Sequence, residues 1–128
     1  MPELRYFEPT WFDRETKKAV RKLSARDQAR FEENLGGLLE ALAGCRHPAL
    51  DPSLARWRPV PYSGVVQLSK GLRLVEYHLT SVSRVIAGYR ESAEVEQVVL
   101  LAVTVRHDHA RLKRLLQAHR SGISEMGD

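Results

Sequence analysis

The sequence has little cysteine and no long apolar segment. Cys45 is the only cysteine among the 128 residues, which excludes an internal disulfide and fits a reducing compartment. No apolar run approaches the roughly 20 residues that a membrane-spanning helix needs, so no membrane partner is expected. The first residues, MPELRYFEP, lack the charged-then-apolar pattern of a secretory signal. We therefore expect a cytoplasmic protein.

Internal repeats and low-complexity segments are also missing. The chain is 43% hydrophobic and 28% charged, as in a soluble globular protein. Its length suits one domain with its own hydrophobic core. We assign residues 1–120 to this domain and residues 121–128 to a flexible tail.

Positive charge is in excess and unevenly placed. The formal net charge is +4. Between Arg56 and Arg120, eleven Lys or Arg residues stand against five Asp or Glu residues. Such an excess favours nucleic acid, an anionic surface or an acidic protein as partner, without choosing among them.

Two helices are predicted in the first third of the chain. Thr10–Asp13 and Ser24–Asp27 each have the spacing of a capping box. Five apolar residues after the second box fall on one helical face: Phe31, Leu35, Leu38, Leu39 and Leu42. Gly36 and Gly37 interrupt this helix, which indicates close packing against a neighbour, and Gly44 is its expected C-cap.

Short strands follow a proline-interrupted loop at residues 46–61. With one early strand, the predicted strands are Leu4–Phe7, Val65–Leu68, Leu72–Leu79, Arg84–Tyr89 and Val98–Val105. A last helix is predicted over residues 110–119. Helices followed by short strands indicate an α+β fold, with an N-terminal strand and a helical hairpin packed on a small, mostly antiparallel sheet and a short C-terminal helix. The first strand is free to pair in parallel with a later one.

The most informative segment is the end of the last predicted strand. Val98–Val105 is apolar on both faces, as in a buried central strand, and it leads directly into the basic, imidazole-rich cluster Arg106-His107-Asp108-His109. Arginines also recur in strand-like segments, at Arg73, Arg84 and Arg90. Cations on one sheet with imidazoles at the rim indicate a surface that binds a polyanion and could cleave it.

The order of elements resembles the RelE/ParE superfamily of bacterial toxins from type II toxin–antitoxin systems. Leu72-Arg73-Leu74-Val75-Glu76-Tyr77 is similar to the "yRlvY" strand of that family. Val98-Val99-Leu100-Leu101-Ala102-Val103, followed by Arg106-His107, is similar to its last strand and polar cluster. The helical hairpin matches in place and length. Two departures stand out. The chain is longer than most members, with a long loop at residues 46–61 and an apparently additional strand at Arg84–Tyr89, and it has RHDH in place of the arginine–tyrosine pattern of many member nucleases.

The resemblance implies a β–α–α–β–β–β domain whose concave basic sheet face binds the target. Many members cleave mRNA within the ribosome, whereas others inhibit DNA gyrase without nuclease chemistry. The resemblance also implies an antitoxin partner, encoded beside the toxin, that wraps and inactivates it.

RNA cleavage without a metal or other cofactor needs a base, an acid and cations at the phosphate. Histidine titrates in the right range for both proton roles, and arginine binds phosphate through paired hydrogen bonds. The catalytic candidates are His107 and His109 as acid and base, Arg106 and Arg73 as phosphate clamps, and Glu76 as an alternative base. The RNA-binding candidates are Lys70, Arg84, Arg90, Tyr77, Tyr89 and Arg111.

Several residues in these segments also suit purely structural roles. Asp108 suits the N-cap of the last helix, and Arg84 and Arg90 suit ordinary edge-strand charges. A zinc site built on His107 and His109, with His78 or Asp108 as a third ligand, is a weaker hypothesis, because no cysteine supports it. Three functions remain: an mRNA endoribonuclease toxin, a DNA gyrase inhibitor, and a non-catalytic domain that binds RNA or protein.

Overall fold

The computed structural model describes residues 5–62, 71–92, 95, 97–106 and 108–119. In chain order the elements are β1 (Arg5–Phe7), α1 (Phe12–Val20), α2 (Ala25–Gly44), a 3₁₀ helix (Pro52–Trp57), β2 (Val60–Pro61), β3 (Leu72–Thr80), β4 (Ser83–Arg90), β5 (Gln97–Val105) and α3 (His109–Ala118). The predicted strand Val65–Leu68, Lys70, His107 and the tail at 121–128 lie outside the described residues.

The strands form one sheet in the order β1-β5-β4-β3-β2. β1 pairs with β5 in parallel, and the other neighbours are antiparallel. A parallel β1 is possible because two helices separate it from the rest of the sheet. The predicted α+β class, with a mostly antiparallel sheet, is confirmed.

Apolar side chains cover both faces of the sheet. On one face, α1 and α2 pack on alternate residues of β3 to β5, among them Val75, Tyr77, Val85 and Leu100. On the other face, α3 packs on Leu72, Ile86, Leu101 and Ala102. β5 is therefore buried on both sides, which explains its unbroken apolar sequence.

The two expected capping boxes differ in outcome. The Ser24 hydroxyl accepts a hydrogen bond from the Asp27 amide at 3.2 Å, as predicted. The box at Thr10 is wrong, because α1 begins after Trp11 and has no side-chain cap. The Trp11 indole N–H instead donates to the Leu101 carbonyl at 3.1 Å, which fixes the start of α1 against β5.

The loop at residues 46–61 is more ordered than its prolines suggest. The Asp51 carboxylate accepts from the Ser53 amide at 2.9 Å and starts the 3₁₀ helix. Trp57, at the end of that helix, packs so closely on α2 that a Cβ placed on Gly37 would lie 3.1 Å from its ring. The predicted close approach at Gly37 is confirmed, whereas Gly36 has open space around it.

The C-terminal end of α2 lies one residue beyond its expected cap. The helix includes Gly44, and Cys45 in extended backbone is the C-cap. Burial raises the pKa of the Cys45 thiol to about 11. This buried thiol therefore behaves as a core side chain.

Candidate functional site

The predicted cations lie at opposite ends of the sheet. Arg73 is at the start of β3 and pairs in register with Tyr89. Arg106 follows the end of β5, just past Val105, which pairs with Ser83 at the other end of β4. The two positions are about 20 Å apart along the strands. The expectation that Arg73 and Arg106 grip one phosphate is therefore wrong.

The two tyrosines proposed to contact RNA are core residues. Tyr77 is fully buried, and its hydroxyl donates to the Pro48 carbonyl. Tyr89 is buried as well and meets the His47 ring edge-on, with 5.3 Å between ring centroids. Both lie on the sheet face that α2 covers, so neither offers a free ring to a base.

Two other arginines of the RNA-binding set, Arg111 and Arg90, have separate positions. The Arg111 guanidinium contacts Glu15 of α1, with Nη2 at 3.0 Å from the carboxylate and 3.1 Å from the carbonyl oxygen. Arg111 therefore joins α3 to α1. Arg90 pairs in register with Leu72, at the same end of the sheet as Arg73.

Glu76, His78 and Arg84 come together on one face of the β3–β4 hairpin. His78 Nε2 lies 3.6 Å from Glu76 Oε1, and Arg84 Nε lies 3.8 Å from the same oxygen. The side chains are 31%, 18% and 17% exposed for His78, Glu76 and Arg84, respectively. A carboxylate, an imidazole and a guanidinium thus share one half-open site, hereafter the hairpin site.

Strand geometry explains why these three residues meet. Glu76 and His78 are two apart on β3, so they share the face opposite buried Val75 and Tyr77. Arg84 stands directly across from His78 on β4.

The hairpin turn fixes the arginine. Arg84 Nη1 donates to the Thr80 carbonyl and, at 2.9 Å, to the Ser83 carbonyl. The Thr80 and Ser83 hydroxyls are 2.7 Å apart and close the turn. Held by these bonds, the guanidinium is preorganised beside the imidazole.

Electrostatics favour a neutral imidazole in the hairpin site. Burial lowers the pKa of His78, and the charges of Arg84 and Arg58 lower it further, against an opposing effect of Glu76. Burial and the Glu76 charge also raise the pKa of the Tyr62 phenol, which places that phenol near the carboxylate. A neutral imidazole can accept a proton, and an adjacent guanidinium can bind an anionic oxygen.

The cluster after β5 lies at the same end of the sheet as the hairpin turn. The Arg106 amide donates to the Val82 carbonyl at 2.7 Å. The Asp108 carboxylate accepts from the Arg111 amide at 3.1 Å and caps α3, as predicted. Exposed His109 begins that helix. Arg106 and His109 thus border the end of the sheet that carries Glu76 and Arg84.

Two residues near this site, His78 and Arg58, were not among the catalytic or RNA-binding candidates predicted from the sequence. The signal for His78 was the alternation Glu76-x-His78, which sets two ionisable groups on the face opposite an apolar run. No sequence signal identified Arg58, because its position depends on how the 3₁₀ helix leads into β2.

Two further features concern metals and membranes. Within the described part of the chain, no three His, Cys, Asp or Glu side chains are grouped closely enough to bind a metal ion. None of the described helices combines the length and apolar character that crossing a bilayer requires.

Comparisons with known proteins gave one structural likeness. The chain matches no protein-family model, and no curated protein is significantly similar to it. Among solved structures it is similar to the archaeal RelE–RelB complex from Pyrococcus horikoshii OT3. The two chains are 17% identical with a TM-score of 0.46, and the match covers 83% of this chain and 98% of that chain. At this identity the likeness concerns the backbone fold, so function must be inferred from this chain's own side chains.

Proposed function

We propose that this protein is the toxin of a toxin–antitoxin system and that it cleaves mRNA at the hairpin site. The observation that carries this proposal is that His78 and Arg84 each lie within 4 Å of the Glu76 carboxylate, with the His78 side chain 31% exposed. Arg106 and His109 border the same end of the sheet. The resemblance of the sequence to RelE/ParE toxins supports RNA as the substrate.

The proposed reaction begins with proton removal from a ribose 2′-hydroxyl. Neutral His78 takes this proton, and the 2′-oxygen attacks the adjacent phosphorus. Glu76, 3.6 Å from the imidazole, stabilises the imidazolium that forms. Glu76 is also the alternative base if the substrate approaches from its side.

The second half of the reaction breaks the bond from phosphorus to the 5′-oxygen. Arg84, opposite His78, stabilises the charge on the phosphorane-like transition state. His109, or His107 two residues before it, protonates the departing 5′-oxygen. The products are a 2′,3′-cyclic phosphate and a free 5′-hydroxyl, so no water or cofactor is consumed in this step.

The antitoxin part of the proposal follows from the same resemblance. We expect a protein encoded beside this chain to carry an acidic or apolar segment that covers the basic sheet face. Co-expression should yield a stable complex that no longer cleaves RNA. Failure of the two proteins to co-purify would remove the antitoxin from the proposal while leaving the nuclease test intact.

The nuclease proposal is tested with purified protein and end-labelled RNA, with and without ribosomes. His78→Gln should slow cleavage about 10²- to 10⁴-fold, the usual contribution of a general base. Arg114→Gln, which removes an exposed charge on α3, is the matched control and should cleave at the wild-type rate. Thermal melting of each variant checks that the fold is kept.

The rival functions predict different results in the same experiments. A gyrase inhibitor would leave RNA intact and block supercoiling of plasmid DNA. A binding domain would do neither and would not arrest growth when expressed. Wild-type cleavage that His78→Gln leaves unchanged would mean that the hairpin site is not the active site.

A further inference from the structure

Two exposed arginines have an unusual backbone conformation. Within the described residues, Arg58 and Arg106 are the non-glycine residues with positive φ, at 46° and 51°. The left-handed region is uncommon for side chains other than Asn, Asp and Gly. Residues held there cluster at binding and catalytic sites, where the surrounding structure maintains the strain.

Arg58 borders the hairpin site on the β2 side. It ends the 3₁₀ helix, and its amide donates to the Ala55 carbonyl at 3.1 Å. Val60, two residues later, pairs in register with Glu76. The Arg58 charge also acts on the His78 imidazole, together with that of Arg84. Arg58 therefore lies beside the proposed reacting groups.

Arg106 borders the site on the β5 side. Its amide bond to the Val82 carbonyl holds it against the β3–β4 turn. Arg84 and Arg111 have carboxylate partners, whereas none of the ion pairs among the described residues involves Arg58 or Arg106. Two exposed cations thus stand on either side of the hairpin site.

We infer that Arg58 and Arg106 bind phosphates on the two sides of the scissile one, so that single-stranded RNA crosses the sheet from β2 to β5. This inference rests on the proposed function. Three strand spacings separate β2 from β5, or about 14 Å, which is wide enough for more than one phosphate. Arg58, in the loop that sets this chain apart from the toxins it resembles, becomes a substrate-binding residue.

The salt dependence of RNA binding tests the inference, because it counts phosphate contacts. The probe is a fluorescent single-stranded RNA with 2′-O-methyl riboses, which can bind but cannot be cleaved. Arg58→Asn removes the charge and keeps a residue that tolerates positive φ. The slope of log K against log salt should become shallower by about 0.7, the value for one phosphate contact on a single strand. The slope for Arg106→Asn should become shallower by a similar amount.

Arg21→Asn is the matched control, because it removes a charge that is also exposed, at the end of α1. Its salt slope should equal that of wild type. Arg58→Asn should also melt at or above the wild-type temperature, because asparagine relieves the strain. Weaker binding together with a lower melting temperature would make Arg58 a structural residue and overturn the inference.

The result separates this inference from the nuclease proposal. An unchanged salt slope in Arg58→Asn, with cleavage still dependent on His78, would refute the phosphate-binding role of Arg58 and leave the nuclease proposal standing. Tight RNA binding, with the expected decrease of the salt slope in both arginine variants but no cleavage of unmodified RNA, would refute the nuclease proposal. It would leave the phosphate binding by Arg58 and Arg106 supported. Absence of RNA binding in wild type would refute both.

Discussion

The proton affinity of His78 is set mainly by its surroundings in the hairpin. Burial and two guanidinium groups oppose a charged imidazole, and only Glu76 favours it. The lowered pKa keeps the base unprotonated at neutral pH, where cleavage is expected to operate. The same environment links both activity and stability to pH.

The cleavage rate should therefore rise with pH below about 6.5, the ordinary histidine value, and level off before neutrality. His78→Gln should lose this rising limb. Single-turnover rates between pH 5 and 8 provide the measurement. If the cleavage rate of His78→Gln still rises with pH in this range, another group, such as Glu76, is responsible for the rise.

Stability should depend on pH in the same window. The folded protein binds the His78 proton less tightly than the unfolded chain does, so the unfolded chain holds more protons between the lowered pKa and about 6.5. The free energy of unfolding should thus fall as the pH drops through this window. Urea unfolding at several pH values should show the decrease in wild type and a smaller one in His78→Gln.

Helix α2 contains an internal comparison of two adjacent glycines. Gly36 has open space where a Cβ would lie, whereas a Cβ on Gly37 would lie 3.1 and 3.2 Å from two ring carbons of buried Trp57. Gly36→Ala should stabilise the protein by about 1 kcal/mol through helix propensity alone. Gly37→Ala should lose that gain to the clash and unfold at a lower denaturant concentration than Gly36→Ala. Equal midpoints would show that Trp57 moves aside freely.

Helix α3 is joined to α1 by the bonds between Arg111 and Glu15. Both side chains are under one-fifth exposed, so the pair is shielded more than a surface ion pair. Arg111→Ala should reduce the free energy of unfolding by about 1.5–3 kcal/mol, the range for hydrogen bonds to charged groups. Lys113→Ala, exposed on the same helix, should change it by less than about 0.5 kcal/mol. Denaturant unfolding compares the two variants.

The arrangement of the whole molecule explains which predictions from sequence succeeded. Local patterns were sufficient for β5, whose apolar run reflects burial on both faces, and for the Ser24 and Asp108 caps. Glu76 and His78 lie on the face opposite Tyr77, as the alternation of a strand requires. Alternation cannot tell which end of the sheet a residue occupies, because that depends on strand direction and register. The sequence analysis therefore grouped Arg73 with Arg106, although the two residues lie about 20 Å apart along the strands.

Strand register also explains why the site lies in the hairpin. A two-residue turn pairs Thr80 with Ser83, and a register shift between His78 and Thr80 then sets His78 opposite Arg84. That pairing appears only once the register is known. Predicting the position of Arg58 would also have required the path of the 3₁₀ helix. The proposed chemistry thus remains one of imidazole, carboxylate and guanidinium, at positions that depend on tertiary structure.

Comparing two arginines gives the most direct test of cleavage at the hairpin site. Arg84→Ala removes the guanidinium beside His78, and Arg73→Ala removes one at the far end of the sheet. With both variants folded, single-turnover cleavage of RNA should fall about 10²- to 10³-fold for Arg84→Ala, as when a transition-state donor is removed. It should stay within about twofold of wild type for Arg73→Ala, because rim charges act mainly on association. A large loss for Arg73→Ala with normal cleavage by Arg84→Ala would contradict the hairpin site.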